Sequence, residues 1–456
     1  MGHSDVQEHL RGLVRALGGR RFVRAAATLQ VGSLGLTAIG FGSSIVLARL
    51  LGPGSYGTYS LVMSAGTALG LLRRLGQDYA ATTGVAEGYG AQDRRRVRDA
   101  LVFYVCLSVL TSLVVLPPAI VLAPWIGATF FGDETIGVLL RLYLVQGFWA
   151  VVPGWTVIAL QASRRMGLLI GFENATTLVQ SLLPVALVAA GLGVYGVFWG
   201  QVVASLVALL AGYAVYARIQ PTDPLLPSVG ELVRGIARPA IPLWARTRFG
   251  LSIALDKNLV SLYTLVPILL LGVFVPEDEV GYLRAALSYM AIPAIMLSPI
   301  SRLLMVDLPA LRMAQPERVR ASFVTVTLLG ALASAGLAVP FALLAPFGLP
   351  LVYGDDFGAA AALTVPLLLD AATLGLGIAA GPVFRTYDRT DLPIRTSVVL
   401  LLVGVPAAYV AIQQLGALGA AAAYGGMLLA SRLVSYVQCL RIIPRAPSPV
   451  AESIAP

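Results

Sequence analysis

From Ala25 to Cys439 the chain is a succession of apolar stretches, each about 20 residues or longer, separated by short polar connections. Residues 100–127, ALVFYVCLSVLTSLVVLPPAIVLAPWIG, contain no charged side chain at all. A helix of about 20 residues rises roughly 30 Å, the thickness of a bilayer's hydrocarbon core. Hydrocarbon offers no hydrogen-bond partner to the backbone, so a chain of such segments crosses it as helices. Composition agrees: 57% of the 456 residues are hydrophobic and 12% charged, against about 25% charged in a soluble domain. The expected fold class is an all-α polytopic membrane protein.

Twelve spans are expected, the first near 28–50 and the last near 416–439. The 32 Lys and Arg residues fall almost entirely on alternate connections, such as Arg73, Arg74, Arg94, Arg95, Arg96 and Arg98. The opposite connections are acidic: Asp133–Glu134, Glu277–Asp278–Glu279 and Asp355–Asp356. The positive-inside rule then places both termini in the cytoplasm of a multi-pass plasma-membrane protein. The net charge of +9 is a topology signal, and no nucleic-acid partner is expected. In the first 24 residues Leu10, Leu13, Val14 and Leu17 recur at helical spacing with Arg11 and Arg15 between them. This reads as an amphipathic segment on the inner membrane surface or a solvated tail, and not as a signal peptide.

The chain is internally duplicated. Shifted by 222 to 224 residues, Gly57 meets Gly281, FFGDE at 130–134 meets VYGDD at 352–356, and LGVYG at 192–196 meets LGALG at 415–419. Six spans per half is an even number, so the repeat is parallel: two six-helix bundles around a central cavity. The expected organisation is a cytoplasmic N-terminal segment at 1–24 and a first bundle at 25–217. A proline-rich cytoplasmic linker at 218–240, a second bundle at 241–440 and a cytoplasmic tail at 441–456 follow.

Two literal matches to the dinucleotide fingerprint occur, Gly52-x-Gly54-x-x-Gly57 and Gly191-x-Gly193-x-x-Gly196. That fingerprint works only between a strand and a helix of a βαβ unit. Here both lie between apolar spans, where glycine and Pro53 permit a sharp reversal. No Gly-x4-Gly-Lys-Ser/Thr motif appears, so ATP hydrolysis is not expected. Cys106 and Cys439 lie inside apolar segments, and His3 and His9 are the only histidines. No metal site, cofactor or catalytic centre is expected, and enzyme activity is not.

The run IVLARLLGPGSYGTYSLVMS at 45–64 resembles the first-hairpin signature of bacterial and archaeal polysaccharide flippases. Those proteins belong to the multidrug/oligosaccharidyl-lipid/polysaccharide exporter superfamily. LRRLGQDYA at 72–80 and VGYLRAALSY at 280–289 resemble the end of that family's second helix and its counterpart in the second half. The resemblance implies a flippase that moves a polyprenyl-diphosphate-linked oligosaccharide from inner to outer leaflet for cell-surface polysaccharide assembly. It implies a monomer among membrane lipids, working beside a polysaccharide polymerase or glycosyltransferases, with H+ or Na+ as coupling ion. Family members often carry an acidic residue midway along the seventh helix. The candidate Asp256 departs from that pattern, lying 25 residues before Gly281. The alternative reading is a multidrug or organic-cation antiporter of the same superfamily, which would require a cavity dominated by acid.

Ionisable groups inside spans are functional suspects, and guanidinium suits a diphosphate through its planar fork of donors. The candidate cargo-binding cations are Arg49, Arg141 and Arg284 near span ends, with Arg246, Arg248 and Lys257 around span 7. Snorkelling to the headgroups or ordinary positive-inside anchoring competes with a cavity role for these residues. Asp370, Asp256 and Glu173 are the candidate ion-coupling acids, and for Asp370 a structural bond to a neighbouring helix is the rival.

Overall fold

The computed structural model describes residues 20–237, 243–297, 304, 308, 312 and 316–444. Most of the N-terminal segment, three residues of the linker and the tail from 445 lie outside the described residues, as do the side chains of Arg246 and Asp256. The secondary structure described is helical throughout. Helix α1 (Arg20–Arg73) reverses at Gly52 (φ 71°, ψ 173°) and so makes two passes, the second prolonged by α2 (Gln77–Gly90). Third and fourth passes are α3 (Arg94–Phe130) and the broken pair α4 (Glu134–Val145) and α5 (Val151–Ala162). Helices α6 (Met166–Leu187) and α7 (Gly193–Ile219) complete the first half, and the short α8 (Val229–Ala237) lies in the linker.

The second half repeats this plan with α9 (Leu243–Phe274), α10 (Glu277–Met290) and α11 (Val319–Tyr353). Its tenth pass is broken into a 3-10 stretch (Asp355–Leu363), α12 (Thr364–Ala371), α13 (Leu374–Gly377) and α14 (Ala380–Thr386). Helices α15 (Asp391–Leu415) and α16 (Ala417–Ile442) close the fold. Eight helical stretches among the described residues are long and apolar enough to cross a membrane, and one of them, Met166–Thr222, holds two passes run together. The broken fourth pass is too fragmented to qualify, although α5 is itself apolar.

The duplication is visible in the backbone. Gly193 (φ 55°, ψ −145°) and Gly416 (φ 56°, ψ −130°) adopt the same conformation, open only to glycine. Gly132 and Gly354 also share positive φ. Both fingerprint-like motifs are therefore turns: Gly52 reverses α1, and Gly191 and Gly193 join α6 to α7. The Ser44 hydroxyl lies 2.7 Å from the Tyr56 hydroxyl, closing the first hairpin across its turn.

The halves meet where the repeat says they should. A Cβ on Gly57 would clash with the Glu277 carbonyl, and one on Gly281 with the Pro53 carbonyl. Two repeat-equivalent glycines in mutual contact mark the pseudo-two-fold axis at this hairpin end. Tyr56, Tyr282 and Tyr353 surround Phe357 beneath it, with ring centroids 6.0, 6.3 and 5.8 Å away. Here one apolar core holds side chains of both halves, among them Leu139 and Phe198 with Leu283 and Ile412. Toward the opposite, arginine-rich end the core divides. One part gathers around Phe103, Trp155 and Tyr216 of the first half, the other around Phe323, Phe384 and Cys439 of the second. The halves still touch there along one seam, where Gly76 and Gly250 approach backbone to backbone and Asn258 Nδ2 donates to the Arg74 carbonyl at 2.9 Å.

The linker helix α8 starts in a capping box. The Glu231 N–H donates to Ser228 Oγ at 3.2 Å, and the Ser228 N–H to Glu231 Oε2 at 2.7 Å. That backbone donor, with the Arg94 guanidinium 3.0 Å away, holds the Glu231 carboxyl below its usual range. A depressed carboxyl stabilises the fold above its unfolded pKa of about 4.3, and the contribution is lost as pH falls through the lower folded value. Amides of 229–235 should therefore lose hydrogen-exchange protection, corrected for intrinsic rates, between pH 6 and pH 3. Equal loss in Glu231→Gln would exclude this carboxyl as the cause. At the hairpin end, Gly57→Val should lower stability by about 1–3 kcal/mol through overpacking, read as a lower melting temperature in detergent.

Candidate functional site

Each half contains a cavity of about 370 Å³ beside the interface. The first-half cavity opens where the fourth pass is broken between Val145 and Val151. Its polar wall comprises Arg73, Arg74, Tyr143, Gln146, Glu173 and Gln180. The break frees backbone carbonyls, which cannot find water in hydrocarbon. Arg73 answers one of them: its Nη1 donates to the Gly147 carbonyl and lies 3.3 Å from Ser112 Oγ. Arg74 is exposed into the same cavity, and no side-chain hydrogen bond or ion pair of its own is found among the described residues. Trp149 Nε1 donates to Ser205 Oγ at 2.7 Å in the same wall.

The second-half cavity is lined by Tyr263, Leu297, Gly377, Ser431, Arg432 and Ser435, among others. Asp370 stands behind it at the break after α12. Arg432 donates Nη2 to Asp370 Oδ1 and Nη1 to the Asp370 carbonyl, with Thr373 Oγ1 3.0 Å from Nη1. The side chains are 12% and 25% exposed for Arg432 and Asp370. An unpaired charge at mid-bilayer costs about 2.5–3.5 kcal/mol on the lenient scale, and the pairing removes that cost from both groups. With the repeat offset, Gly147 aligns with Asp370 to within one residue. Both halves thus cap a carbonyl at the same break with arginine, but only the second adds a carboxylate.

Arg284 sits between the halves beside Tyr56, Tyr59 and Tyr424, hydrogen-bonded to Tyr56. Its Nε is buried with no hydrogen-bond partner in the protein, and tyrosines, not carboxylates, are its principal charge neighbours.

The other expected site residues are placed as follows. Arg49 is at the hairpin end, where Nε donates to the Val352 carbonyl at 2.7 Å and Nη2 to that of Leu351. These are orphan acceptors in the last turn of α11. Arg141 donates Nε to the Ile120 carbonyl at 3.0 Å. That oxygen is free because Pro124, four residues on, has no N–H to offer it. Neither arginine lines the two cavities. Lys257 is on the seam, exposed, donating to the Tyr79 hydroxyl with its Nζ 4.5 Å from that ring's centre. Arg248 is exposed, and Glu173 lines the first-half cavity. The structure thus places Glu173 in one cavity with Arg73 and Arg74 and pairs Asp370 with Arg432, while Arg49 and Arg141 stand apart.

Sequence reasoning passed over Arg73, Arg74 and Arg432. Arg73 and Arg74 read as topology charges at a span end. Arg432 lies within the last apolar span, and the rule that singled out Asp370 would have found it.

Solved structures share this architecture. An inward-facing multidrug resistance MATE family transporter of the MOP superfamily aligns with a TM-score of 0.71 at 14% identity, covering 89% of this chain and 94% of that one. An outward-facing MATE transporter of that superfamily gives 0.61 at 14% identity, covering 92% and 95%. The eukaryotic MATE transporter AtDTX14 gives 0.61 at 16% identity, covering 92% and 96%. At such identities the likeness shows the fold, twelve helices in two bundles, that of a multi-pass membrane protein. A search of curated protein sequences gives no match. The family model described as polysaccharide biosynthesis protein matches residues 23–311, more than half of the chain. The chain belongs to that family.

The two adjacent arginines should behave differently on truncation. Arg73→Ala leaves the Gly147 carbonyl without its donor and should cost about 1–3 kcal/mol. Arg74→Ala should leave stability within about 0.5 kcal/mol. Thermal unfolding of the two variants in detergent, beside wild type, measures the contrast.

Proposed function

We propose that this protein is a flippase for a polyprenyl-diphosphate-linked oligosaccharide, moving it from inner to outer leaflet by alternating access without ATP hydrolysis or catalysis. The observation that carries this reading is an excess of guanidinium over carboxylate at the cavity walls, with Asp78 as the acid beside Arg73 and Arg74. Arg74 lines the first-half cavity with Asp78 as a charge neighbour but no ion pair in contact among the described residues, and Arg284 has a buried, unpartnered Nε between the halves. Asp370, the acid nearest the second-half cavity, is neutralised by Arg432. Arginines at the cavity walls (Arg73, Arg74, Arg432) outnumber the one acid, Glu173. A diphosphate finds donors and charge here, and the hydroxyls and amides of Thr67, Gln146 and Gln180 suit a glycan. The family's connection with polysaccharide biosynthesis supports the same cargo class.

In this reading the arginine-rich end faces the cytoplasm of the plasma membrane, with both termini there. The divided core at that end and the sealed hairpin end then describe an inward-open state. The higher TM-score against an inward-facing relative than an outward-facing one supports that assignment. Of the residues expected to touch cargo, Arg284 is retained and Arg73 and Arg74 are added. Arg49 serves the closed hairpin end. A proton or sodium gradient, or downstream consumption of the lifted lipid by a polymerase or glycosyltransferase, supplies direction.

Glu173 favours a second reading. It is exposed to the first-half cavity and forms no ion pair among the described residues, as an organic-cation antiporter would need. Transbilayer movement of a labelled polyprenyl-diphosphate oligosaccharide in proteoliposomes separates the two. A charge-assisted phosphate contact contributes about 1.5–3 kcal/mol, so Arg74→Ala should weaken cargo binding roughly tenfold to a hundredfold, while Glu173→Gln leaves it nearly unchanged. Export of a small organic cation that depends on Glu173, with no lipid movement, would hand the case to the antiporter.

A further inference from the structure

Around the break after α12, three oxygens face one guanidinium: the Asp370 main-chain carbonyl and Thr373 Oγ1 at Arg432 Nη1, and Asp370 Oδ1 at Nη2. A carboxylate, a carbonyl from a helix's last turn and a hydroxyl are the donor set of a dehydrated monovalent cation. Interrupted membrane helices hold such ions with carbonyls at half-helix ends, and the Asp370 carbonyl, which accepts the Thr373 N–H at 3.2 Å, keeps a second lone pair for one. Here the guanidinium of Arg432, sixty-two residues further along the chain than Asp370, contacts all three.

The charged and titratable groups around it complete the environment. Tyr424 comes from α16, the helix that carries Arg432, and its charge neighbours are Asp370, Arg284, Arg432 and Tyr263. Arg284 is on α10, and Tyr263 on α9 donates to Ser431 Oγ at 3.4 Å. These neighbours supply no second carboxylate. One acid therefore faces Arg432, with Arg284 nearby, and a free metal ion would add a positive charge that none of these groups balances.

We propose that Arg432 is a built-in cation occupying a monovalent-cation site at Asp370. The site consequently takes no sodium or potassium in the native protein, and removing the guanidinium opens it to them. Guanidinium does not lose its proton in proteins, so the occupant stays charged at any physiological pH. Coupling to a sodium gradient through Asp370 is thereby excluded. The inference rests on the transporter fold and is independent of the cargo assigned above.

The test uses the full-length protein in detergent, with thermal unfolding in sodium, lithium, potassium or choline chloride at constant ionic strength. Wild type should melt at the same temperature in all four. Arg432→Ala should melt lower in choline and recover by a few degrees in at least one alkali salt, as a ligand that binds only the folded state requires. Arg432→Ala/Asp370→Asn should lose that recovery, and Arg432→Lys, which keeps a tethered charge, should not acquire it. Should Arg432→Ala fail to fold in choline, Arg432→Gln carries the same comparison. A purely structural ion pair would lose stability in Arg432→Ala without cation selectivity, and that result overturns the proposal. So does sodium stabilisation of wild type that Asp370→Asn abolishes. No cargo enters this measurement, so its failure leaves the flippase reading standing. Absence of lipid movement alongside the expected cation response would defeat that reading alone.

Discussion

A carbonyl oxygen without a donor is the problem this chain meets repeatedly, and arginine is its recurring answer. In hydrocarbon no water replaces a missing backbone hydrogen bond, yet the helices here are broken, proline-bearing or ended in many places. Arg141 serves the Ile120 carbonyl released by Pro124, and Arg73 serves Gly147 at the break of the fourth pass. Arg49 serves the last turn of α11, and Arg320 the Leu440 and Ile443 carbonyls at 2.8 and 3.1 Å where α16 ends, while Arg432 adds a second donor to the Asp370 carbonyl at the end of α12. Breaks that would otherwise be forbidden become cavity walls because a guanidinium satisfies what they expose. A long side chain with five donors reaches across helices in a way that lysine, a compact point charge, does not. The chain holds a single lysine.

The duplication gives both halves a break at the same place, and the difference between the two copies separates their roles. At Gly147 the arginine caps a carbonyl and keeps its charge facing the cavity. At Asp370 a carboxylate neutralises it. The first cavity holds two arginines with Glu173 in the wall and Asp78 beside them, the second an arginine matched by Asp370, while Arg284 stands between them among tyrosines. The contact of Gly57 with Gly281 sets how the halves are joined, since only backbone separates them there. Below that contact the common core divides into one part per half.

Much of the fold was legible in the sequence because the bilayer enforces it. Span length, the even number of spans per half and the glycine landmarks of the repeat follow from hydrocarbon thickness and from turns that require positive φ. The site was less legible. Arg284 and Glu173 drew notice as charges within apolar surroundings; Glu173 lines the first-half cavity, Arg284 is buried between the halves, and Asp370 stands behind the second-half cavity. Arg49 and Arg141 drew the same notice, but their orphan carbonyls belong to α11 and α3, and no local pattern shows that a proline on one helix leaves an acceptor for an arginine on another. Arg73 and Arg74 looked like anchoring charges because a span end beside an arginine pair is what positive-inside topology produces everywhere.

The sequence by itself determined that this chain crosses a membrane many times, that it does so as two similar halves, and that its glycine motifs are turns. Hydropathy, charge alternation and glycine's freedom act along the chain, so they can be read along it. Only the tertiary structure decided which charges are free and which are satisfied. Whether a guanidinium can bind an anion depends on the carbonyls and carboxylates already within its reach. Those partners lie 21 residues away for Arg141, 62 for Arg432 and 303 for Arg49, distances over which packing alone brings groups together.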